Sequence, residues 1–342
     1  MFWVLRLKLA VPQRFGDSYN CWVVDRTDYN LHVRMVMHRG GRVGPLVSII
    51  IRNYNYGHFI ADAINSALAQ TYSHCEVILV DDGSQDNSRE VIAGFGNRVR
   101  TFFKSNGGEA SAFNLGFAES RGDVICFLDS DDVFLPTKVQ RVVDGLATCP
   151  QGWCFHHLQW SDAHLNPIAT PSIPYTTGKY DFRSGFLEGK CPFAAPATSG
   201  LAFSRVLMNQ IVPVPEAATD NYLKFVSLAL EPGYFIAERC ALQRIHGDNI
   251  YTGRNDEVLR ANVKLVTAAG VRAKVPVSRR FCNRMYADGV ASKLNAGVPI
   301  RSVYRDSREY LSDTSFSETV EILARVAYRA ARPRIKSPAN IP

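Results

Sequence analysis

The 342-residue sequence contains no run of about twenty apolar residues, which a membrane-spanning helix requires. Its apolar start, residues 1–11, is interrupted by Arg6 and Lys8 and lacks the small-residue cleavage site of a signal peptide. We therefore expect a cytoplasmic protein. Any contact with a membrane would be peripheral, at its inner face.

Zinc-binding and low-complexity patterns are also missing. The eight cysteines include no C-x-x-C pair and no histidine spacing suited to zinc, so we expect reduced, mostly buried thiols. A content of 46% hydrophobic and 21% charged residues is that of an ordinary globular protein. The net charge of +7 comes from basic residues concentrated near the two ends, without aromatic-interleaved basic stripes, and we expect no nucleic-acid partner.

Two common nucleotide-binding motifs are absent as well. There is no G-x-x-x-x-G-K-[ST] phosphate loop in the sequence. The pair Gly94-x-Gly96 lacks both the third glycine and the preceding strand of a dinucleotide-binding fingerprint. These absences argue against a kinase-like enzyme and against a dehydrogenase.

Strand and helix patterns alternate from residue 45 to residue 150. Short β-branched runs such as residues 46–51 and 77–80 indicate strands buried on both faces, and the helical apolar spacing between them indicates crossover helices. A further helix is predicted to begin at Pro136, a favourable first-turn residue. The alternation predicts an α/β, Rossmann-like fold with a mixed, mostly parallel sheet flanked by helices.

The segments around this region have different patterns. Residues 1–44 predict an N-terminal extension, residues 151–254 mix short strands with a proline-rich loop, and residues 255–342 predict a helical C-terminal region. The sequence Ser315-x-x-Glu318 predicts a capping box at the start of the last helix. Arginines flank this helix, which either docks on its own domain or lies on a membrane surface. Its predicted apolar face contains Val320, Leu323, Ala327 and Ala330.

Polar residues follow each of the four predicted strands. Ligands bind beyond the carboxyl ends of the strands in open α/β sheets, so we expect these residues to share one cleft. Each pattern alone is usually a turn or a solvated loop, but their occurrence at successive strand ends favours a functional cleft. They are Asn53, Tyr54 and Asn55 after the first strand, Asp81 and Asp82 after the second, Asn106 after the third, and Asp129, Ser130, Asp131 and Asp132 after the fourth.

These residue types suit a nucleotide that carries a diphosphate. Asp129 and Asp131 project the same way from a strand end and can place two carboxylates around one Mg²⁺ or Mn²⁺ ion. Such an ion keeps positions free for phosphate oxygens and neutralises the charge that builds on a departing diphosphate. Asp81 and Asp82 can accept hydrogen bonds from a ribose or a base, against which Tyr54 can pack.

Taken in order, these motifs resemble the family-2 glycosyltransferases of GT-A fold, over roughly residues 45–250. The resemblance implies one glycosyltransferase domain over residues 45–254, with a nucleotide-sugar-binding half at 45–150 and an acceptor half at 151–254. It rests on residues 47–51 with Asn53-Tyr54-Asn55, on Val80-Asp81-Asp82-Gly83-Ser84, on Asn106-x-Gly108 with Asn114-x-Gly116, and on Asp129-Ser130-Asp131-Asp132.

On the donor side, the resemblance implies that Asp81 and Asp82 bind the base and ribose and that Asp131 holds the divalent cation, Mn²⁺ or Mg²⁺. It also implies that His246 lies near the diphosphate or the metal, although a lone histidine beside a turn is more often structural. The other predicted members of the nucleotide site are Asn53, Tyr54, Asn55, Asn106, Asp129 and Ser130.

On the acceptor side, the resemblance implies that Ser199 and Gly200 belong to the segment that faces the acceptor. It places Asp220 at the position of the catalytic general base. From the residues alone, Asp220 could equally be a helix N-cap. The sequence departs from the family at two positions: Arg52 stands where proline is frequent, and Thr219 stands where an acidic residue is frequent.

The implied activity is inverting transfer of a sugar from a nucleoside-diphosphate sugar to a glycan or lipid-linked acceptor, in surface-polysaccharide or glycoconjugate assembly. The sequence has no Q-x-x-R-W motif, which favours a non-processive enzyme of hexosyltransferase type. An alternative is a non-catalytic protein that binds nucleotide sugars in the same cleft. A nucleotidyltransferase is disfavoured, because the loop after the first strand lacks a glycine-rich, basic phosphate cradle.

Overall fold

The computed structural model describes residues 20–27, 30–37, 44–172, 174–191, 195–247, 249 and 256–331. The chain divides into two compact units, residues 1–44 and residues 45–342. In the first unit, strands β1 (Asn20–Thr27) and β2 (Asn30–Met37) pair in antiparallel orientation. The rest of the predicted N-terminal extension, up to residue 43, lies outside the described residues.

The second unit is built on one sheet, which contains nine strands among the described residues. They are β3 (Val47–Asn53), β4 (Cys75–Asp81), β5 (Arg100–Phe103), β6 (Val124–Asp129), β7 (Val133–Phe134), β8 (Trp153–Ser161), β9 (Gly178–Tyr180), β10 (Leu201–Ser204) and β11 (Gly233–Arg244).

The strand order is β5–β4–β3–β6–β10–β8–β11–β7, and β9 pairs with the start of β11. The four strands from β5 to β6 are parallel, so their carboxyl ends lie at one edge of the sheet. Strand β10 is antiparallel to both of its neighbours, whereas β8 and β11 are parallel to each other. The prediction of a mixed, mostly parallel sheet is confirmed, and each antiparallel pair of this sheet includes β10 or β11.

Helices cover the sheet and extend beyond it. They are α1 (Ile60–Leu68), α2 (Ser88–Ala93), α3 (Gly108–Glu119), α4 (Lys138–Thr148), α5 (Arg183–Leu187), α6 (Arg205–Ile211), α7 (Asp220–Leu230), α8 (Glu257–Lys274), α9 (Arg279–Asn295), α10 (Ile300–Ser312) and α11 (Phe316–Ala330).

Strand β3 is buried on both faces, because its side chains alternate between two apolar layers. Ile49 and Ile51 pack in the layer that contains α1 and α4, whereas Ile50 packs in the opposite layer with Phe113 of α3. Helix α3 comes close to the sheet at Gly116, where a Cβ atom would lie 2.5 Å from Ile50 Cγ2. These contacts fix the height of α3 against the carboxyl ends of the parallel strands.

Two predicted details of the helices need correction. Helix α4 begins at Lys138 rather than at Pro136, which lies in the preceding turn. The prediction of which face of α11 is buried is also wrong. Ile322 and Val326 are buried, whereas Val320 and Leu323 are 50% and 55% exposed. The helix carries two apolar stripes, and the one formed by Ile322 and Val326 packs on the domain.

The capping box at the start of α11 is confirmed. Ser315 Oγ accepts a hydrogen bond from Glu318 N, and Glu318 Oε2 accepts one from Ser315 N at 2.8 Å. Glu318 also accepts two hydrogen bonds from the guanidinium of Arg279 on α9, both at 3.0 Å. One carboxylate therefore fixes the start of α11 and ties it to α9.

None of the helices in the described part of the chain has both the length and the hydropathy needed to cross a bilayer. The seven cysteines whose side chains are described form no disulfide with one another. Five of these seven are buried, as expected for structural thiols: Cys126, Cys149, Cys154, Cys240 and Cys282.

Candidate functional site

A pocket of about 1260 Å³ opens at the carboxyl ends of β3, β4 and β6 and extends to the C-terminal helices. Its volume exceeds the roughly 300–1,000 Å³ typical of small-molecule sites. Five predicted site residues are not part of the pocket lining: Asn55, Asp81, Ser199, Gly200 and His246. Eight do line it: Asn53, Tyr54, Asp82, Asn106, Asp129, Ser130, Asp131 and Asp220.

Asp81 lies behind the pocket wall, where it holds other site residues. Its carboxylate is 1% exposed and accepts hydrogen bonds from Asn53 Nδ2 at 2.8 Å and from Ser84 Oγ at 2.7 Å. Ser84 Oγ in turn accepts a hydrogen bond from Asn55 N, whose residue has a left-handed φ of 58°. Asp81 therefore fixes the shape of the loop that presents Tyr54, which is 42% exposed.

Asp82 faces the pocket at the start of α3. Its Oδ1 atom lies 2.5 Å from Lys104 Nζ and accepts a hydrogen bond from Gly107 N at 2.9 Å. Its Oδ2 atom accepts one from Gly108 N at 2.8 Å. These amides belong to the start of a helix, where the backbone dipole favours a negative charge. Asn106 lies beside them and is exposed to the pocket.

The acidic loop after β6 is braced from two sides at Asp132. Its Oδ2 atom accepts a hydrogen bond from Ser199 Oγ at 2.6 Å, and its Oδ1 atom accepts one from Arg244 N at 2.9 Å. Ser199 also accepts a hydrogen bond from Asp129 N at 3.1 Å. Burial, together with repulsion from Asp131 and Asp129, raises the pKa of Asp132 well above its usual value. Ser199 is fully buried and acts as a brace for the acidic loop.

Gly200, next to Ser199, is in close contact with its surroundings. A Cβ atom at this position would lie 2.7 Å from Pro196 Cβ and 2.8 Å from the carbonyl oxygen of His156. Both distances are shorter than real Cβ contacts, so a larger residue would displace the segment. The glycine thus lets the Thr198–Gly200 turn pack against β8.

Arg244, at the end of β11, holds the backbone of the acidic loop. Its Nε atom donates to the Asp131 carbonyl at 2.8 Å, and Nη2 donates to Asp62 Oδ2 at 2.8 Å. The guanidinium also lies over the ring of Phe59, 4.2 Å from its centroid. Its buried position and multiple partners fix the direction in which Asp131 points.

The structure brings the two predicted metal ligands, Asp131 and His246, next to each other. Asp131 Oδ2 lies 3.1 Å from His246 Nε2, and Asn249 Nδ2 lies 3.2 Å from the same carboxylate oxygen. Within the described residues, no group of three or more His, Cys, Asp or Glu side chains is arranged to hold a metal. An Mg²⁺ or Mn²⁺ ion at this pair would have one or two protein ligands and would complete its shell with phosphate oxygens and water.

Arg52, which departs from the family pattern, lies between two carboxylates. Its Nη1 atom is 3.1 Å from Glu109 Oε1, and its Nη2 atom forms an ion pair with Asp129. The guanidinium also lies 4.0 Å from the centroid of the Phe113 ring. Burial lowers the pKa of Arg52, but attraction by Asp129, Glu109 and Asp220 outweighs this effect and raises it.

The carboxylates around Arg52 hold protons more tightly than usual. Burial raises the pKa of Glu109 to about 7, with Arg52 opposing the shift and Asp220 adding to it. Burial likewise raises the pKa of Asp129 to about 6, against the attraction of Arg52. The centre of the pocket therefore contains carboxyl groups that change charge close to neutral pH.

Asp220 is the first residue of α7 and reaches the pocket from the acceptor half. Its Oδ2 atom lies 2.6 Å from Lys224 Nζ and accepts a hydrogen bond from Thr198 Oγ1 at 3.2 Å. The alternative that Asp220 is the helix N-cap is wrong, because Thr219 caps α7 by accepting a hydrogen bond from Asn221 N. Thr219 thus has a structural role where an acidic residue is frequent in the family.

Sequence patterns did not indicate several residues of the pocket. Glu109, Lys104 and Lys224 carried no motif signal, because each is recognised only through a partner brought close by folding. The (i, i+4) spacing of Asp220 and Lys224 could have indicated their pairing on α7.

Solved structures identify the fold. The crystal structure of residues 1–349 of S. aureus TarS in complex with UDP-GlcNAc is similar at a TM-score of 0.54 and 13% identity. The match covers 83% of this chain and 80% of the TarS chain. The chain therefore has the GT-A fold of the glycosyltransferases.

Sequence comparisons show similarity to a family of glycosyltransferases. Residues 48–202 match the family model for glycosyl transferase family 2. An uncharacterized glycosyltransferase of Nostoc sp. (strain PCC 7120) is 36% identical over 211 residues, which are 59% of this chain and 66% of the relative. GlyG of Streptococcus pneumoniae serotype 4 is 42% identical over 104 residues, 29% of this chain and 35% of GlyG. Residues 48–202 of this chain are thus similar to the family-2 glycosyltransferases, and the chain covers less than two thirds of the length of either relative.

Proposed function

We propose that the protein is an inverting, metal-dependent glycosyltransferase of hexosyltransferase type. It would transfer one sugar from a nucleoside-diphosphate sugar to a hydroxyl group of a glycan or lipid-linked acceptor. The observation that carries the proposal is the position of Asp220, a carboxylate from the acceptor half that lines the same pocket as Asp82 and Asp131. A transferase needs such a base on the acceptor side, whereas a protein that only binds the nucleotide does not.

The donor would occupy the part of the pocket at the ends of β3, β4 and β6. Asp82, Asn106 and Tyr54 line this part and would contact the nucleoside, while Asp81 positions the loop behind them. The crystal structures of TarS with UDP-GlcNAc and with UDP support a nucleoside-diphosphate-sugar donor for this fold. The identity of the base and the sugar would depend on side chains around Asn53 and Asn106.

Asp131 and His246 would hold Mn²⁺ or Mg²⁺ next to the diphosphate. When bound, the ion would neutralise negative charge on the departing nucleoside diphosphate. Ser130 is buried beside these residues and lines the pocket, where it can contact a phosphate oxygen. Arg52 neutralises part of the charge of Asp129 and Glu109, which would otherwise repel a diphosphate.

Asp220 would act as the general base. Its Oδ2 atom is held by Lys224 and Thr198, and Oδ1 accepts no hydrogen bond from the described residues. Oδ1 would take the proton of the acceptor hydroxyl as the hydroxyl oxygen bonds to the anomeric carbon. The bond from that carbon to the diphosphate breaks at the opposite side, so the configuration inverts.

The proposed setting is the assembly of cell-surface polysaccharide or glycoconjugates at the cytoplasmic face of a membrane. Peripheral contact with the membrane is supported by an exposed apolar stripe on α11. The stripe includes Phe316, Val320 and Leu323, which are 87%, 50% and 55% exposed. Such an exposed apolar stripe is typical of amphipathic helices that lie on a bilayer surface.

Two variants test the proposal. Asp220→Asn should lower the rate of sugar transfer to the acceptor, measured as nucleoside-diphosphate release, by at least about 100-fold, the range of a lost general base, while donor affinity stays within about threefold. Asp131→Asn should weaken metal-dependent donor binding. Asp144→Asn, an exposed carboxylate on α4, is the matched control.

Other results would exclude the proposal. A wild-type protein that binds nucleotide sugars without turnover would be a binding protein, and full turnover in Asp220→Asn would remove the assigned base. Release of pyrophosphate from a nucleoside triphosphate and a sugar phosphate would instead identify a nucleotidyltransferase.

A further inference from the structure

Arg52 belongs to the donor half, and its contacts reach the acceptor half. It lies in β3, at the position where the family frequently has proline. Its guanidinium forms ion pairs with Asp129 and Glu109, and Nη2 donates a hydrogen bond to Thr198 Oγ1 at 3.4 Å. These partners lie in β6, in α3 and in the turn before β10. One side chain therefore joins three segments of the pocket wall.

The hydroxyl group of Thr198 links Arg52 to Asp220. A guanidinium can only donate hydrogen bonds, so Thr198 Oγ1 accepts from Arg52 and has one hydrogen left to donate. Asp129 is close enough to compete for that hydrogen, but Arg52 Nη2 already pairs with Asp129. The hydrogen is therefore directed to Asp220 Oδ2, which lies 3.2 Å away.

The position of Thr198 is set independently of Asp220. Thr198 is 3% exposed and begins the turn before β10. The hydroxyl group of Ser199 ties this turn to Asp132, and Gly200 packs against β8. The turn thus holds the Thr198 hydroxyl group in place, whatever the orientation of the carboxylate that it contacts.

The two groups that hold Asp220 differ in what they fix. Thr198 and Lys224 both contact Oδ2, so Oδ1 is the oxygen left for an acceptor hydroxyl. Lys224 lies on the same helix as Asp220, and its ammonium group ends a flexible four-carbon chain that can follow the carboxylate. Thr198 comes from another segment, so its hydrogen bond fixes the carboxylate relative to the sheet. The contact with Thr198 therefore relates Asp220 to the donor end.

We propose that Arg52 and Thr198 are positioning residues of the transfer reaction, which hold Asp220 at a fixed distance and angle from the acidic loop after β6. The inference rests on the proposed function, in which Asp220 is the general base. The base, the acceptor oxygen and the anomeric carbon must be aligned, and a misplacement of about 1 Å can lower the rate about 100-fold. Thr198 acts on the reaction through Asp220, and Arg52 acts through Thr198.

Removing the Thr198 hydroxyl group tests the proposal without changing any charge. The rate is measured with Mn²⁺ as release of nucleoside diphosphate from UDP-glucose, UDP-N-acetylglucosamine or GDP-mannose, with octyl glucoside or water as the acceptor. We expect Thr198→Val to lower kcat at least about tenfold while the KM for the donor stays within about threefold. Thr198→Ser keeps the hydroxyl group and should keep kcat within about threefold of wild type. Thr71→Val, which removes a hydroxyl group outside the pocket, is the control.

A second experiment separates positioning from a purely structural role. In the Asp220→Asn background, Thr198→Val should lower the remaining rate by less than about twofold, because no base is left to orient. A loss in that background as large as in the wild type would overturn the proposal, since Thr198 would then act on something other than Asp220. An equal kcat for Thr198→Val and Thr198→Ser would overturn it as well.

The part of Arg52 is tested by a substitution that keeps the charge. Arg52→Lys replaces the planar fork with a single ammonium group, which cannot hold Glu109, Asp129 and Thr198 in the same geometry. We expect kcat to fall at least about tenfold, and Thr198→Val should add less than about threefold to that loss. A wild-type kcat in Arg52→Lys would overturn the assignment of Arg52.

Crystal structures of wild type and Thr198→Val give a result that does not depend on turnover. The Asp220 carboxylate should have one orientation in the wild type and should turn in the variant. An unchanged carboxylate in Thr198→Val would overturn the proposal even if no donor is turned over. Full turnover in Asp220→Asn would instead remove the base of the proposed function. Lost turnover in Asp220→Asn together with a wild-type kcat in Thr198→Val would overturn only the positioning role.

Discussion

At the scale of single residues, the pocket is organised around Arg52, whose side chain is 12% exposed. Arg52 forms ion pairs with Glu109 and Asp129 and donates a hydrogen bond to Thr198, which donates one to Asp220. The donor half and the proposed base are thus connected through one cation and one hydroxyl group. Removing Arg52 would leave Glu109 and Asp129 without this partner, which is costly for charges that are largely buried.

Glu109 should make the stability of the protein depend on pH. Its pKa is raised from 4.5 to about 7 in the folded state, so the folded protein binds this proton more tightly than the unfolded chain. Stability from this group is present below about pH 4.5 and is lost as pH rises toward about 7. Glu109→Gln replaces the titrating carboxyl group with an amide, so the variant does not lose this stability as pH rises. Its free energy of unfolding relative to wild type should therefore increase by roughly 1–3 kcal/mol from about pH 5 to about pH 8.

Urea unfolding of both proteins at these two pH values measures the effect. The exposed Glu188→Gln is the control and should show no such change. Glu109→Gln also loses the contact with Arg52, which changes stability at every pH. The test of the raised pKa is therefore how the difference in free energy of unfolding between variant and wild type changes with pH. A difference that stays constant from pH 5 to pH 8 would contradict the raised pKa.

Ser199→Ala should destabilise the protein through the acidic loop. The change removes the hydroxyl group that donates a hydrogen bond to Asp132 Oδ2 and accepts one from Asp129 N. A buried polar group left without a partner costs about 1–3 kcal/mol. Chemical unfolding should show this loss, whereas the exposed Ser312→Ala should change stability by less than about 0.5 kcal/mol. Equal stability of the two variants would argue against the brace.

The sequence indicated the acidic residues of the site but not their partners. Asp82, Asp129 and Asp131 follow strands, and strand ends can be located from local patterns. The contact between Arg52 and Glu109 joins residues from β3 and α3, and no local pattern links them. Similarly, Ser199 belonged to a recognised segment, but its burial beneath Asp132 depends on where β10 enters the sheet.

At the scale of elements, helix α11 illustrates the limit of apolar periodicity. Its sequence carries one stripe with Ile322 and Val326 and another with Val320 and Leu323. Both stripes have helical spacing, so the pattern predicts an amphipathic helix without selecting the buried face. Packing against α9 decides the orientation, because Glu318 must reach Arg279.

Glu318→Gln should weaken the attachment of α11 in a pH-dependent way. Hydrogen bonds from Arg279, Asn283 and Ser315 hold the pKa of Glu318 far below its usual 4.5. A lowered pKa contributes stability that is present above pH 4.5 and is lost as pH falls toward the folded value. We expect the variant to be about 1–2 kcal/mol less stable than wild type near neutral pH, and this difference should shrink in acid.

Thermal unfolding from neutral pH down to about pH 3 tests this sign. Glu309→Gln, on the exposed side of α10, is the control. A stability difference for Glu318→Gln that grows as pH falls would show that the carboxylate is not stabilised by these contacts.

At the scale of the whole molecule, the exposed stripe of α11 should govern membrane association. Phe316→Ser/Leu323→Ser removes two exposed apolar side chains, each worth about 1.5–3 kcal/mol when fully buried. The variant should sediment with anionic lipid vesicles at least about tenfold less than wild type. Because neither side chain is buried, the melting temperature should stay nearly constant.

A matched control removes apolar surface elsewhere. Val206→Ser/Val277→Ser changes side chains that are 49% and 61% exposed on other elements, and it should sediment like wild type. Equal sedimentation of both double variants would mean that the stripe of α11 is not the membrane contact.

The two halves of the domain differ in how far the sequence predicts them. In residues 45–150 the strands and helices alternate, so parallel neighbours and their shared carboxyl edge follow from local patterns. In the later half, β10 inserts between β6 and β8 in antiparallel orientation. That placement depends on contacts between distant segments, and the four-residue length of β10 gives little local signal.

The brace at Asp132 has a consequence for how such an enzyme can change specificity. Ser199 and Arg244 both lie beyond residue 150, yet they provide the partners of a buried carboxylate in the donor half. A fragment ending near residue 150 would lack both partners of this carboxylate, so the two halves are not independent modules. Substitutions at pocket-lining residues of α8 and α9 would instead change the pocket and leave the brace intact.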